Sequence, residues 1–513
     1  MELQTLKITL NSHEDLPIFS RMSKKISIGL LFLLISAQLY IKPEAVNAQV
    51  QIPTSKSNNS QKICSTQLPS KINRIINSPQ YRRSNWGILI KKLTGGQTLY
   101  SRNSEKYFTP ASVTKLFTTS AALLALGKDY RIRTSIYQDG NGILRVVGRG
   151  DPSLTDKQLD ILSQQLRQKG IRRINQLVAD DSYFQGETVH PSWMWEDVQF
   201  YYGTHVNSLI LNENASIVRL FPTSVGKPPQ VKWDDPTEGF RWKLVNNTVT
   251  APKNTRKYIE FNRDLKSATF RINGRIAVNS QPDVTAIAVF DPVEHFIRKF
   301  RASLLQEKIS VGRTINGTGK NNQQEIAAVN SPSISELIKT TNVDSNNLFA
   351  EALLKTLAFK KTPKPNQSNQ PTSVLGLEVL QDTLEKIGVD PKNYSLVDGS
   401  GLSRKNLISP QALVQLLQGM ARVPQASIFY TSLPNAGKTG TVKSRFSNTA
   451  AEGIVLAKTG TMTGVVSLAG YVNVPNYQPI VFSILTNNSQ NSARITRKAI
   501  DEIVVAIAQL RQC

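Results

Sequence analysis

Three groups of residues in this chain combine side-chain types and spacings suited to nucleophilic chemistry. Ser112 and Lys115 stand three apart in "TPASVTKLFTTSAALLAL". On a helix such a pair shares one face, with about 5–6 Å between Cβ atoms. A serine hydroxyl attacks a carbonyl only when a base takes its proton, and a lysine serves as that base if burial or other cations lower its pKa. Free amide protons and the positive dipole end at a helix N-terminus would also stabilise a developing oxyanion. Ser345 and Asn347 come next, in "TNVDSNNLFAEALL", just ahead of an amphipathic helix. A hydroxyl and an amide two apart can reach one point, the first relaying a proton and the second binding a carbonyl. A plain N-terminal cap by Ser345 or Asn346 is the alternative.

The third group is written twice, at Lys438-Thr439-Gly440 and at Lys458-Thr459-Gly460. The second copy runs into the apolar strand pattern "TMTGVVSLAGYV". There Lys458 and Thr459 would hold a carboxylate, and Gly460 would leave room for a ligand backbone. The first copy lies between "LPNAG" and the polar "VKSRFSNTAAEG" and reads as a loop. Other matches are weaker. Ser224 and Lys227 repeat the serine-lysine spacing, but "KPPQ" forbids a helix there. Ser400 in "DGSGLS" lacks the surroundings of a nucleophile elbow and reads as a glycine turn lining a cleft. Arg149-Gly150-Asp151 spells an adhesion tripeptide that a turn before Pro152 explains better. His190, His205 and His295 have no triad motif behind them.

The elements that must position these groups can be traced along the chain. From Trp86, "NWGILIKKLTGGQTLYS" predicts a hairpin turning at Gly95-Gly96. A helix is predicted from Pro110, where a missing amide proton costs nothing, to a stop at Gly127. Residues 131–290 change to short alternating strands with many turns, which predicts a separate β-rich inserted region. After residue 291 helical patterns return, in "VEHFIRKFRASLLQEKI", "SISELIKTTNVDSNNLFAEALLKTLAF" and "SVLGLEVLQDTLEKIG". The stretches "TINGTGKNNQQE" and "KKTPKPNQSNQPT" read as exposed loops. Two strands in hairpin order and a helix from about residue 492 close the chain. The expected organisation is a discontinuous catalytic domain, 49–130 plus 291–513, interrupted by an accessory block over 131–290.

With 513 residues the chain suggests two or three domains. Arg21, Lys24 and Lys25 precede an apolar run from Ile26 to Ile41 and then "AVNA", the pattern of a signal peptide over residues 1–48 cleaved after Ala48. A retained membrane anchor is the alternative. Residues 49–62 read as a polar lead-in. Both cysteines, Cys64 and Cys513, lie near the ends of the exported portion. An oxidising compartment favours a bridge between them, with two free thiols as the alternative. A formal charge of +25 draws the chain to polyanions. Without zinc-finger spacing or a basic helix with periodic aromatics, the sequence points to an anionic cell wall or membrane surface rather than nucleic acid. No HExxH or CxxC spacing supports a metal, and no cofactor is expected.

Ser112-Val-Thr-Lys115, Ser345-Asn-Asn347 and Lys458-Thr-Gly460, in that order, resemble the three motifs of serine β-lactamases and penicillin-binding proteins. The 233 residues from Ser112 to Ser345 exceed the span of a compact β-lactamase. That length, with "GRGDPSL", "ADDSYF", "DGSGLSRKNLISP" and "LAKTGTMTGVVSLAGYV", is similar to the class C low-molecular-mass penicillin-binding proteins, peptidase S13-like D-alanyl-D-alanine carboxypeptidases and endopeptidases. The resemblance implies an α/β (α+β) fold: a β-lactamase/transpeptidase-like domain carrying a β-rich insertion. It also implies that Ser112 attacks the carbonyl between two D-alanines of peptidoglycan stem peptides, with Lys115 as base and Ser345 and Asn347 assisting. Lys458, Thr459 and Gly460 would bind the terminal carboxylate, and the amides of Ser112 and Thr461 would form the oxyanion hole. β-Lactams would acylate the same serine. The family segment resembling "LPNAGKTGTVKSRF" lacks a catalytic lysine, which favours Lys458 over Lys438. An idle wall-binding protein and a β-lactamase are the competing readings, and the expected location is the periplasm or the outer face of the cytoplasmic membrane.

Overall fold

The computed structural model describes residues 62–264, 267–318, 323–361 and 369–513, all within one compact unit. The signal segment expected over residues 1–48 lies outside them, as do residues 49–61 of the polar lead-in and parts of the two loop stretches. Among the described residues no helix is long and apolar enough to cross a membrane.

A five-stranded antiparallel sheet organises the motif-bearing part. Its strands lie in the order Val455–Met462, Val465–Val472, Ile480–Asn487, Asn85–Lys92 and Thr98–Arg102. The predicted hairpin is present, and its turn places Gly95 and Gly96 at positive φ, where a side chain would be strained. Helices Leu68–Ile76 and Ala493–Ala508 cover one face, packing Leu68, Ile72, Ile500, Ile503 and Ile507 against Ile88, Ile90, Phe482 and Ile484. Helix Pro410–Met420 packs on the central strands Ile480–Asn487 and Asn85–Lys92. The two ends of the described chain meet in a short parallel pair, Ile63 with Leu510 and Cys64 with Arg511, and a Cys64–Cys513 disulfide joins Cα atoms 5.7 Å apart.

The helix predicted from Pro110 begins differently. Ala111–Thr114 form a tight 3-10 turn, with Ala111 left-handed at φ 53°, and the α-helix proper is Lys115–Leu126, ending at Gly127. Every residue of that helix from Lys115 to Leu123 is buried. It is an interior rod rather than an amphipathic surface helix, and it packs among helices Ile334–Val343, Asn347–Leu357 and Thr372–Glu385.

The region expected to be β-rich contains helices as well as strands. A second five-stranded sheet has the order Ser310–Asn316, Arg173–Asp180, Ile143–Val147, Arg133–Gly140 and Gln324–Asn330. Helices Asp156–Gln168 and Pro292–Gln306 bridge its parallel pairs, burying Leu159, Leu162, Phe296, Phe300 and Leu304 with Ile174 and Leu177. Strands Ser310–Asn316 and Gln324–Asn330, which follow the boundary expected at residue 291, pair within this sheet. Helical periodicity in "VEHFIRKF" identified a helix but carried no information about which sheet it covers. Two three-stranded sheets between residues 215 and 288 share a smaller core around Trp242, Phe261 and Phe270.

Close packing ties the sheet to the serine turn. A Cβ on Gly460 would come within 2.7 Å of the Pro110 carbonyl oxygen and 3.0 Å of the Ser112 amide nitrogen. A side chain at this position would collide with the turn that carries Ser112. Gly460→Ala is therefore expected to displace Ser112 and slow labelling by a fluorescent penicillin about 100-fold; an unchanged labelling rate would show that the strand yields freely. The Cys64→Ser/Cys513→Ser variant is expected to lose about 2–5 kcal/mol of stability in urea melts while labelling at the normal rate.

Candidate active site

Three stretches of chain meet at the Lys115 amine. The Lys115 side chain is fully buried at the start of its helix. Its Nζ lies 2.9 Å from Ser112 Oγ, 2.6 Å from Asn347 Oδ1 and 2.7 Å from the Ser400 carbonyl oxygen. Burial pulls its pKa down to about 7, against the opposing pull of the Asp398 and Glu351 carboxylates. The three contacts match the three protons of an ammonium. A neutral amine keeps two of them, on Asn347 and Ser400, and turns its lone pair toward the Ser112 hydroxyl.

Lys458 is equally buried, in strand Val455–Met462. Its Nζ donates to Ser345 Oγ at 2.7 Å and to the Thr459 carbonyl at 3.0 Å. Burial and the neighbouring Lys115 hold its pKa well below the ordinary lysine value, and Asp344 partly offsets them. An incoming carboxylate would restore the charge. Ser345 itself is left-handed at φ 58°. Asn346 caps helix Asn347–Leu357 by accepting from the Phe349 amide, while the residues on either side of it reach the two lysines. The structure thus brings the five residues together as two hydrogen-bonded groups, Lys115 with Ser112 and Asn347, and Lys458 with Ser345, with Gly460 packed on the serine turn. Thr461 is exposed on the same strand.

The first Lys-Thr-Gly copy is a loop. Lys438 is exposed, and the Thr439 hydroxyl closes a local turn onto the Asn435 amide. The residue after it does reach the site, because Thr459 Oγ1 donates to Thr441 Oγ1 at 2.8 Å. Sequence reading missed this link, as it missed the main-chain part played by "DGSGLS". Ser400 is buried, and its carbonyl rather than its hydroxyl touches Lys115. Gly401, at φ 83°, packs so closely on the Ala111 carbonyl that a Cβ would come within 2.0 Å. Glu351 accepts from the amides of Gly399 and Ser400 at 3.0 and 2.7 Å, and Asp398 accepts from Gly401, Ser403 and Asn406. Burial and the Asp398 charge raise the Glu351 carboxyl to about 7. One signal was present in the sequence: Glu351 follows Asn347 by four residues, the spacing that puts both on one helical face.

The inserted block also reaches this region. The Tyr202 carbonyl accepts from Asn347 Nδ2 at 2.7 Å, and the Trp193 indole donates to Asp398 at 2.9 Å. The remaining candidates are structural. Arg149 is spent on the Arg133 carbonyl, Ser135 and Tyr137, and buried Asp151 accepts from Ser153, so the tripeptide is not displayed. His190 bonds Ser192 two residues on, and His205 pairs with Thr188. Ser224 and Lys227 lie on an exposed turn.

Comparison with known proteins agrees with this arrangement. Residues 68–510 match the D-Ala-D-Ala carboxypeptidase 3 (S13) family. The chain is 30% identical over 467 residues to a D-alanyl-D-alanine carboxypeptidase of an Actinomadura species, covering 86% of this chain and 85% of the relative. It is 29% identical over 460 residues to the penicillin-sensitive carboxypeptidase A of Dictyostelium discoideum, covering 83% and 87%. The crystal structure of penicillin-binding protein 4 from Haemophilus influenzae superimposes with a TM-score of 0.73 at 25% identity, covering 87% of this chain and 98% of that one. With a serine, two buried lysines and an asparagine assembled on this mixed α/β fold, and with the match running over most of its length, the chain belongs to the D-Ala-D-Ala carboxypeptidase 3 (S13) family.

Proposed function

We propose that this protein is a serine-type D-alanyl-D-alanine carboxypeptidase acting on peptidoglycan stem peptides through an acyl-enzyme on Ser112, and that β-lactams acylate the same residue. The observation that carries the reading is the Lys115 amine, buried against Ser112 with its pKa drawn down to about 7. In its neutral form it takes the hydroxyl proton as Ser112 Oγ attacks the carbonyl between the two D-alanines. The amides of Ser112 and Thr461 receive the oxyanion. Lys458 and Thr459 hold the terminal carboxylate, Thr459 being steadied by Thr441. The proton that Lys115 took from Ser112 passes to the departing amine by way of the Ser345 hydroxyl, which Lys458 holds in place, so that Lys115 is neutral again. Water then attacks the acyl carbonyl, its proton passing to neutral Lys115 and on to the Ser112 oxygen as the acyl C–O bond breaks. Where the scissile bond is a peptide cross-link, the same steps give endopeptidase cleavage.

Export to the cell-wall side of the membrane is part of the proposal, supported by the signal-like first 48 residues and by the disulfide. The basic charge supports contact with an anionic wall or membrane surface. Residues from about 131 to 330 form the accessory block of this enzyme.

The test uses residues 49–513 with a pentapeptide ending in D-Ala-D-Ala, following free D-alanine, and with a fluorescent penicillin. Ser112→Ala is expected to abolish both readouts, and Lys115→Ala to slow acylation about 10²- to 10⁴-fold. Lys458→Ala should weaken both, while Lys438→Ala leaves them intact; loss in Lys438→Ala with retention in Lys458→Ala would reverse the assignment. Because the working form of Lys115 is neutral, acylation should fall about tenfold per pH unit below its pKa of about 7 and level off above it. An acid limb centred near pH 4 would instead point to a carboxylate base.

A further inference from the structure

The inserted block meets the Ser345–Asn347 turn at a second point besides the Tyr202 carbonyl. The Glu213 carboxylate accepts from Asn346 Nδ2 at 2.7 Å. Asn346 is the central residue of the motif. Its other amide atom caps helix Asn347–Leu357, Ser345 on one side receives Lys458, and Asn347 on the other receives Lys115. A single side-chain amide therefore sits between both lysine contacts, and its free end is held from outside the motif.

The holding element is built for rigidity. Asn212, Glu213 and Asn214 are all left-handed, at φ 48°, 57° and 48°, a run that non-glycine residues adopt only where surrounding contacts enforce it. Buried Asn214 supplies those contacts. Its side chain donates to the His205 carbonyl and to Asn207 and accepts from the Leu211 amide, and its own carbonyl accepts from Thr204. The same bonds lead back within two residues to Tyr202, whose carbonyl orients the Asn347 amide so that Oδ1 faces Lys115. On the motif side Ser345 is itself left-handed, so the Glu213–Asn346 bond joins two strained turns.

We infer that Glu213, in the inserted block, is a positioning residue for the reaction: through Asn346 it fixes the turn that sets Ser345 on Lys458 and Asn347 on Lys115. The inference rests on the catalytic roles proposed above for Ser345, Lys458 and Lys115. It gives the insertion a part in the chemistry that does not require it to touch substrate.

The test measures kcat and KM for D-alanine release, the acylation rate by penicillin and the melting temperature in four variants. Glu213→Ala should lower kcat and the acylation rate about tenfold or more with KM little changed. Glu213→Gln, which can still accept from Asn346, should stay within about threefold of wild type. Asn346→Asp keeps a good helix cap but sets two carboxylates together, and should lose activity like Glu213→Ala. The double variant Glu213→Gln/Asn346→Asp rebuilds the bond with donor and acceptor exchanged and should recover most of that loss. A double variant no better than Asn346→Asp, or a Glu213→Ala enzyme with full kcat, overturns the inference. A role confined to stability would lower the melting temperature of Glu213→Ala without this pattern of rescue. Absence of D-alanine release from the wild type would count against the proposed reaction instead, and the ratios of penicillin acylation rates would still decide the role of Glu213.

Discussion

The burial of one amine is the constraint on which the rest of the structure depends. An uncompensated ammonium in an apolar interior is costly, and a neutral amine still needs acceptors for its protons. Lys115 obtains them from Asn347 and Ser400, residues more than two hundred positions away, and presents its remaining contact to Ser112. Each acceptor is itself held: Asn347 by the Tyr202 carbonyl, and the Ser400 peptide by Glu351. Tracing what satisfies this one amine leads through the motif helix, the glycine turn and the edge of the insertion. Lys458 repeats the arrangement on a smaller scale, and there burial and the nearby Lys115 amine together hold it well below the ordinary lysine range.

How much of this was legible in the sequence follows from how local each signal is. Ser112 and Lys115 are three residues apart, and Ser345 and Asn347 two apart, so their relative geometry is set largely by local backbone, and spacing alone brought them to notice. The second Lys-Thr-Gly was separable from the first because a strand pattern continues from it, whereas the residues around Lys438 have no periodicity. Helices and the hairpin were readable from apolar repeat and from Gly95-Gly96. The Ala111 kink was not, because a left-handed alanine is imposed by its neighbours, among them the Gly401 turn 290 residues later.

The boundary expected at residue 291 rested on a signal that was equally local. Helix Pro292–Gln306 carries an apolar stripe that fits any sheet, and only the parallel pairing of Ser310–Asn316 with Arg173–Asp180 reveals which sheet it covers. Backbone contributions were equally invisible. The carbonyls of Ser400 and Tyr202 bear no mark of side-chain type, so no reading of residue identities singles them out.

The strand order of the central sheet has a consequence for the birth of the enzyme. Its strands come from residues 85–102 and 455–487, so the serine turn is made early and the strand that presses on it very late. Until that last stretch has left the ribosome, Ser112 has neither its neighbouring strand nor Lys458. Native contacts of such long sequence separation form slowly. A chain still lacking that stretch has the serine turn without the strand that packs against it.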